Sequence, residues 1–129
     1  MKMKIPKKAE PLVRRLQQLQ QQLDVLTVQK QTIQIQLADV ENALREIELS
    51  PESDVYEIIG NIMIKKERAR AIDSLTERRK TLKLREEMLE KQIRKITEES
   101  KTIQKEILKY AGEESGGKGG KAPGRGDKR

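Results

Sequence analysis

The sequence predicts a mainly α protein: an antiparallel two-helix coiled coil with a small β-hairpin at its bend and a disordered C-terminal tail. Three observations predict it. Two long segments carry apolar residues at heptad spacing. Between them a short β-branched stretch surrounds a Gly-Asn pair. Charged residues make up 38% of the 129 and apolar ones only 34%, with no Phe, Trp, Cys or His. That is too little apolar material for a thick globular core and close to the composition of long exposed helices. One domain at most is expected, spanning residues 1–111, with a Gly/Lys-rich tail over 112–129.

The first helix is expected over residues 10–49. Pro11 suits a first helical turn, where its missing N–H costs nothing. The pattern runs Leu12, Leu16, Leu19, Leu23, Leu26, Lys30, Ile33, Leu37, Val40, Leu44, Ile47, in steps of four and three that mark a coiled-coil seam. Ser50-Pro51 stops it, because proline breaks the hydrogen-bond ladder and restricts its predecessor. The second helix, over 68–111, gives Ile72, Leu75, Arg79, Leu82, Glu86, Leu89, Ile93, Ile96, Ser100, Ile103, Ile107 and Tyr110. Laid antiparallel, the two patterns match in one register, from Ile47 opposite Ile72 to Leu12 opposite Ile107. No layer then sets two polar residues against each other. Lys30 and Glu86 fall in adjacent layers, where opposite charges are expected to meet.

Between the helices stands VYEIIGNIMIKK, residues 55–66. Gly60 at the first central position of a two-residue turn, with Asn61 after it, suits a hairpin turn. The pairing that follows sets Ile59 against Ile62 and Tyr56 against Lys65. Period-two alternation puts Val55, Ile59, Ile62 and Ile64 on one face and Tyr56, Ile58 and Met63 on the other. Both faces are apolar, yet an isolated two-stranded ribbon is barely stable in water. A hairpin folded back as a cap on the coil would hide one face. Edge-to-edge addition to neighbouring subunits would bury both faces and remove the free edges, so Val55, Tyr56, Ile58, Ile59, Gly60, Ile62, Met63 and Ile64 are the expected oligomerisation residues.

Composition also excludes. Without cysteine or histidine there is no thiolate or imidazole to ligate a metal or act as a nucleophile, and the carboxylates lie on solvated helix faces. No catalytic residue, cofactor or metal is expected, and the chain is read as not an enzyme. A net charge of +7 raises nucleic acid as a partner. However, the basic residues of the second helix alternate with Glu67, Asp73, Glu77, Glu86, Glu87 and Glu90, as on a solvated face, and two tyrosines make no stacking platform. The basic start is short and interrupted by Pro6 and Pro11, unlike the continuous basic helix of a zipper-type DNA binder. SGGKGGKA departs from a phosphate loop at both Ser115 and Ala122 and follows no strand. Arg125-Gly126-Asp127 is read as a chance tripeptide. No run of about 18 apolar residues exists to span a bilayer, and MKMKIPKKAEP lacks the apolar stretch of a signal peptide. A cytoplasmic protein is expected, with neither nucleic acid nor membrane as partner.

The stretch DVYEIIGNIMIKKERARAIDSLTERRKTLKLREEMLEKQIRKI resembles the β-class subunits of the prefoldin family, the archaeal ones in particular. Val55, Tyr56, Gly60 and the Ile62-Met63-Ile64 strand carry the resemblance, together with the glutamine-rich first helix, and it covers roughly residues 10–110. The chain departs from the family in two places. Lys66-Glu67-Arg68 offers no side-chain N-cap to the second helix, and the tail is longer than the family pattern needs. The resemblance implies a hetero-hexamer of two α-class and four β-class subunits, with hairpins joined into β-barrels and coiled coils hanging free. It implies an ATP-independent holdase that captures unfolded proteins and passes them to a group II chaperonin. In such a holdase the apolar residues at the chain ends of the coil, Met1, Met3, Ile5, Leu12, Val13, Ile107, Leu108 and Tyr110, are the expected client contacts. A structural or tethering coiled coil is the alternative, and it has no use for two apolar strands at the bend.

Overall fold

The structure, a computed structural model, describes residues 6–116. Met1, Met3 and Ile5, and the part of the expected tail after residue 116, lie outside the described residues. A 3-10 turn (Lys7–Ala9) leads into helix α1 (Glu10–Leu49). Strands β1 (Val55–Ile59) and β2 (Ile62–Lys66) follow, then helix α2 (Arg68–Gly116). Helix α2 therefore runs past the expected end at residue 111. A helix end needs only its own i to i−4 bonds, and one glycine costs about 1 kcal/mol against alanine, so Gly112 does not stop it. The chain divides into two compact units.

The unit Thr27–Lys91 contains the bend. Its core is Ile33, Leu37 and Val40 of α1 with Leu82 of α2, and the half-buried Leu44, Leu75 and Leu89 pack against them. These are residues of the two heptad patterns, brought together antiparallel. The layers that oppose Val40 with Arg79 and Ile33 with Glu86 keep their polar member half-buried. Long side chains manage this by laying their stem on the seam and extending the head to water.

Two details differ from the sequence reading. Lys30 does not meet Glu86; its Nζ lies 3.3 Å from Oε2 of Glu90. Lys30 stands opposite Leu89, so the carboxylate beside that leucine, on the helix flank, is reached by a side chain turning outward to water. Glu86 would require it to run along the dry seam to the next layer. In the layer nearest the bend Ile72 is more than a third exposed, and its neighbour Ala71 is buried instead. The helices end there, so no further layer covers Ile72 from that side.

The other unit comprises residues 6–26 and 92–116. Leu19 and Ile103 are buried, and Leu12, Leu16, Leu23, Leu26, Ile93, Ile96, Ser100 and Ile107 are half-buried. Ala9 is 0% exposed. It precedes Leu12 by three, so it adds one more position to the seam, and in register it faces Tyr110, a small residue against a large one. Its N–H donates to the Pro6 carbonyl at 2.9 Å, closing the 3-10 turn that starts α1. On one flank the Arg15 guanidinium donates twice to Oε2 of Glu99, at 3.3 and 3.1 Å.

The flank position of the Lys30–Glu90 pair makes its energy small. With both side chains partly exposed, a double-mutant cycle to alanine should give a coupling of about 0.2–1 kcal/mol at low salt. The same cycle with Glu86 in place of Glu90 should give less. A larger coupling to Glu86 would contradict the observed geometry.

Candidate assembly surface

The surface is built from the chain bend. Helix α1 ends at Leu49, and its last carbonyls have no partner within the helix. Helix α2 begins at Arg68, whose guanidinium supplies them. One Nη donates to the Ile47 carbonyl at 2.7 Å, and the other to the carbonyls of Ser50 and Ser53, each at 2.7 Å. The Ser50 and Ser53 amides close two further turns, on Ile47 and Ser50. The first residue of α2 thus caps the end of α1 and fixes the loop that leads into the strands. A cation near a helix C-terminus is also favoured by the helix dipole. The sequence reading found no side-chain cap at Lys66-Glu67-Arg68 for α2. It missed that Arg68 caps the other helix, because the pattern holds no sign of where an arginine eighteen residues beyond Ser50 will point.

From this anchor the hairpin projects. The register pairs Val55 with Lys66, Tyr56 with Lys65, Glu57 with Ile64, Ile58 with Met63 and Ile59 with Ile62. Gly60 has φ +62°, the left-handed value a tight hairpin turn requires and glycine adopts freely. A Cβ there would meet nothing within 4 Å, so backbone conformation alone favours glycine. Glu57 and Lys66 share a face and pair at 3.0 Å, and Lys65 reaches Asp54 at 3.5 Å. The hairpin's own charges are thereby matched within the chain, and what remains presented is apolar.

The hairpin does not fold back as a cap. Tyr56, Ile58, Ile59, Ile62, Met63 and Ile64 are all exposed, Ile58 by 70% and Met63 by 63%, and of the hairpin's apolar residues only Val55, at the root, is half-buried. Both faces named from the alternation stand open, and among the described residues no third strand joins either edge. At the root a groove of about 550 Å³ opens between the hairpin and the helices, floored by Ile47, Val55, Ile58, Ala71 and Leu75. The apolar surface of the strands continues into it.

The expected client contacts are placed differently. Met1, Met3 and Ile5 lie outside the described residues. Leu12, Val13, Ile107 and Tyr110 are half-buried, and Leu108 is 61% exposed. Leu12 and Ile107 are seam residues, and Val13 and Leu108 lie beside them. Among the described residues no helix is long and apolar enough to cross a membrane, and no group of acidic side chains is placed to hold a metal.

A two-helix hairpin whose bend carries an open apolar β-hairpin is the fold of one class of chaperone subunit. A family model described as "Prefoldin subunit" matches residues 10–114. A prefoldin subunit beta of Archaeoglobus fulgidus is 33% identical over 113 residues, covering 87% of this chain and 97% of the relative. One from Pyrobaculum islandicum is 36% identical over 124 residues, covering 90% and 97%. The crystal structure of the prefoldin beta subunit from Thermococcus strain KS-1 superposes with a TM-score of 0.77 at 32% identity, covering 85% of this chain and 97% of that one. The chain belongs to the prefoldin subunit family, and it resembles the archaeal beta subunits along nearly their whole length. That family consists of chaperone subunits, which assemble with other subunits of the family.

Among the described residues Arg68 is the one side chain whose hydrogen bonds join the end of α1, the loop and the start of α2. Hydrogen bonds to a charged donor contribute about 1.5–3 kcal/mol, so Arg68→Ala should destabilise the bend by about that much. Arg68→Lys should recover only part, since an ammonium lacks the planar fork that reaches three carbonyls. Thermal melts of the three proteins test this, and equal melting would show the fork to be dispensable.

Proposed function

We propose that this chain is a β-class subunit of an ATP-independent holdase. Four copies and two α-class subunits would form a hexamer in the cytoplasm, capture unfolded proteins at the coiled-coil tips and deliver them to a group II chaperonin. The observation that carries the reading is the hairpin: two apolar faces and two open edges, projected from a bend fixed by Arg68. Each large side chain buried on assembly contributes about 1.5–3 kcal/mol, and strand addition satisfies the open edges. A tethering coiled coil would leave that surface without purpose.

Client capture calls for apolar surface that is accessible and unspecific. Leu108 offers it directly, and Leu12, Val13, Ile107 and Tyr110 offer it if the ends of the helices fray. Met1, Met3 and Ile5 would extend the same surface, and methionine repacks readily against varied partners. One tip binding a few side chains would be weak. Several tips on one client gain through effective concentration, which is the reason a hexamer of such subunits holds what a single chain does not. Nothing in this scheme calls for a cofactor, nucleic acid or a membrane.

Native mass spectrometry tests it. The chain mixed with an α-class prefoldin subunit should give a hexamer of two α-class and four β-class chains that suppresses aggregation of an unfolded client. Ile59→Glu with Ile62→Lys should abolish the hexamer while leaving helicity intact, since neither residue is in the helical seam. A hexamer of normal mass from that variant would overturn the assembly surface, and an intact hexamer without suppression would overturn the holdase.

A further inference from the structure

Helix α1 carries a second heptad stripe, two positions off its seam. Val25, Val28, Thr32 and Ile35 follow one another in steps of three, four and three, the spacing of the seam itself. In a helix wound to that repeat such a stripe stays on the back, away from the partner helix. Val25, Val28 and Ile35 are each more than half exposed. The Thr32 hydroxyl donates to the Val28 carbonyl at 3.1 Å, so its polar group is satisfied within the helix and its methyl is left to the stripe. Residues 25–38 hold a single charge, Lys30, and that one is engaged by Glu90.

A second copy of α1, laid antiparallel against this face, matches it in one register. Val25 then meets Ile35 and Val28 meets Thr32, and the two-fold axis repeats both layers. Outward from this centre Gln21 meets Asp39, Gln18 meets Asn42, Arg14 meets Glu46 and Pro11 meets Leu49. All of these positions are exposed in the single chain. Apolar faces apolar, amide faces amide or carboxylate, and cation faces anion. A slip of one heptad sets Val28 against Asp39 in one direction and Ile35 against Gln18 in the other. A parallel pairing in register opposes Arg14, Asp39 and Glu46 each to itself, and like charges so placed repel.

We propose that the back of α1 is a self-association surface, on which α1 of a second copy packs antiparallel about a two-fold axis between the Val28 and Thr32 layers. Such a contact is isologous: the same patch serves both partners. Its apolar centre is only four layers long, against eleven in the intramolecular seam, so two single chains pair weakly. The contact strengthens where several coils are presented together. Coils hanging from one platform run the same way, so an antiparallel contact joins coils of two assemblies. That consequence rests on the assembly reading; the pairing of two chains does not.

Disulfide trapping in the full chain tests it, since the chain has no cysteine of its own. A background of Ile59→Glu with Ile62→Lys removes association through the hairpin. Val28→Cys and Thr32→Cys chains, mixed in a glutathione buffer, should give the mixed disulfide well above the half expected at random. Random proportions, or an excess of the two symmetric dimers, would overturn the register. In sedimentation equilibrium Arg14→Glu should weaken the dimer about tenfold at low salt, because two exposed ion pairs are lost. Adding Glu46→Arg should restore it, and Ile35→Lys should abolish it at any salt, with helicity unchanged throughout. A chain that stays monomeric at its highest soluble concentration, or a double swap no better than Arg14→Glu alone, would overturn the surface. Mixed with an α-class subunit, the wild-type chain should give a hexamer and a species of twice its mass that Ile35→Lys lacks. A hexamer that never pairs would overturn the joining of assemblies. If no hexamer forms, the assembly reading falls, and the disulfides still decide whether two chains pair.

Discussion

Two helices lying side by side can dry only the stripe along which they meet, and the rest of this molecule depends on that limit. The stripe is the heptad seam, which contains all the buried leucines, isoleucines and valines among the described residues. Every other surface of the helices stays wet, which is why more than a third of the residues are charged and why those charges face water. A fold with so thin a core has no interior in which to place a reaction centre. Whatever it does must be done with exposed surface.

The hairpin follows from the same limit. A broad core would absorb six large apolar side chains, but a two-helix seam has no remaining face to offer them. The strands therefore leave the helices, and the hydrogen bonds of Arg68 fix where they leave. That arrangement costs the isolated chain, since exposed apolar faces and open strand edges invite aggregation. An isolated two-stranded ribbon is marginally stable at best in water. The chain belongs to the prefoldin subunit family, whose members assemble with one another, and the surface that a lone chain leaves open is the one we propose the assembly shares.

Much of this was legible in the sequence, because its strongest signals are periodic. Eleven layers at unbroken three-four spacing specify helices, their antiparallel match and the bend. Gly60 and the strand alternation specify the hairpin pairing residue by residue. What was not legible depends on where long side chains turn. Lys30 reaches Glu90, not Glu86, because the choice lies between the helix flank and the dry seam. Arg68 caps the helix before it, a contact no spacing rule encodes. Ala9 escaped notice as a seam residue because a small side chain just ahead of Pro11 reads as a lead-in to the helix.

The central claim is that both edges and both faces of the hairpin are open in the single chain and covered in an assembly. Amide hydrogen exchange across residues 55–66 tests it most directly, comparing the chain alone with the chain mixed with an α-class subunit. The account predicts that the amides pointing outward from β1 and β2 exchange rapidly in the single chain. It predicts that they become strongly protected in the mixture, while the seam around Leu37 and Leu82 changes little. Hairpin amides that exchange equally fast in both samples, in a mixture shown to contain the complex, would contradict it.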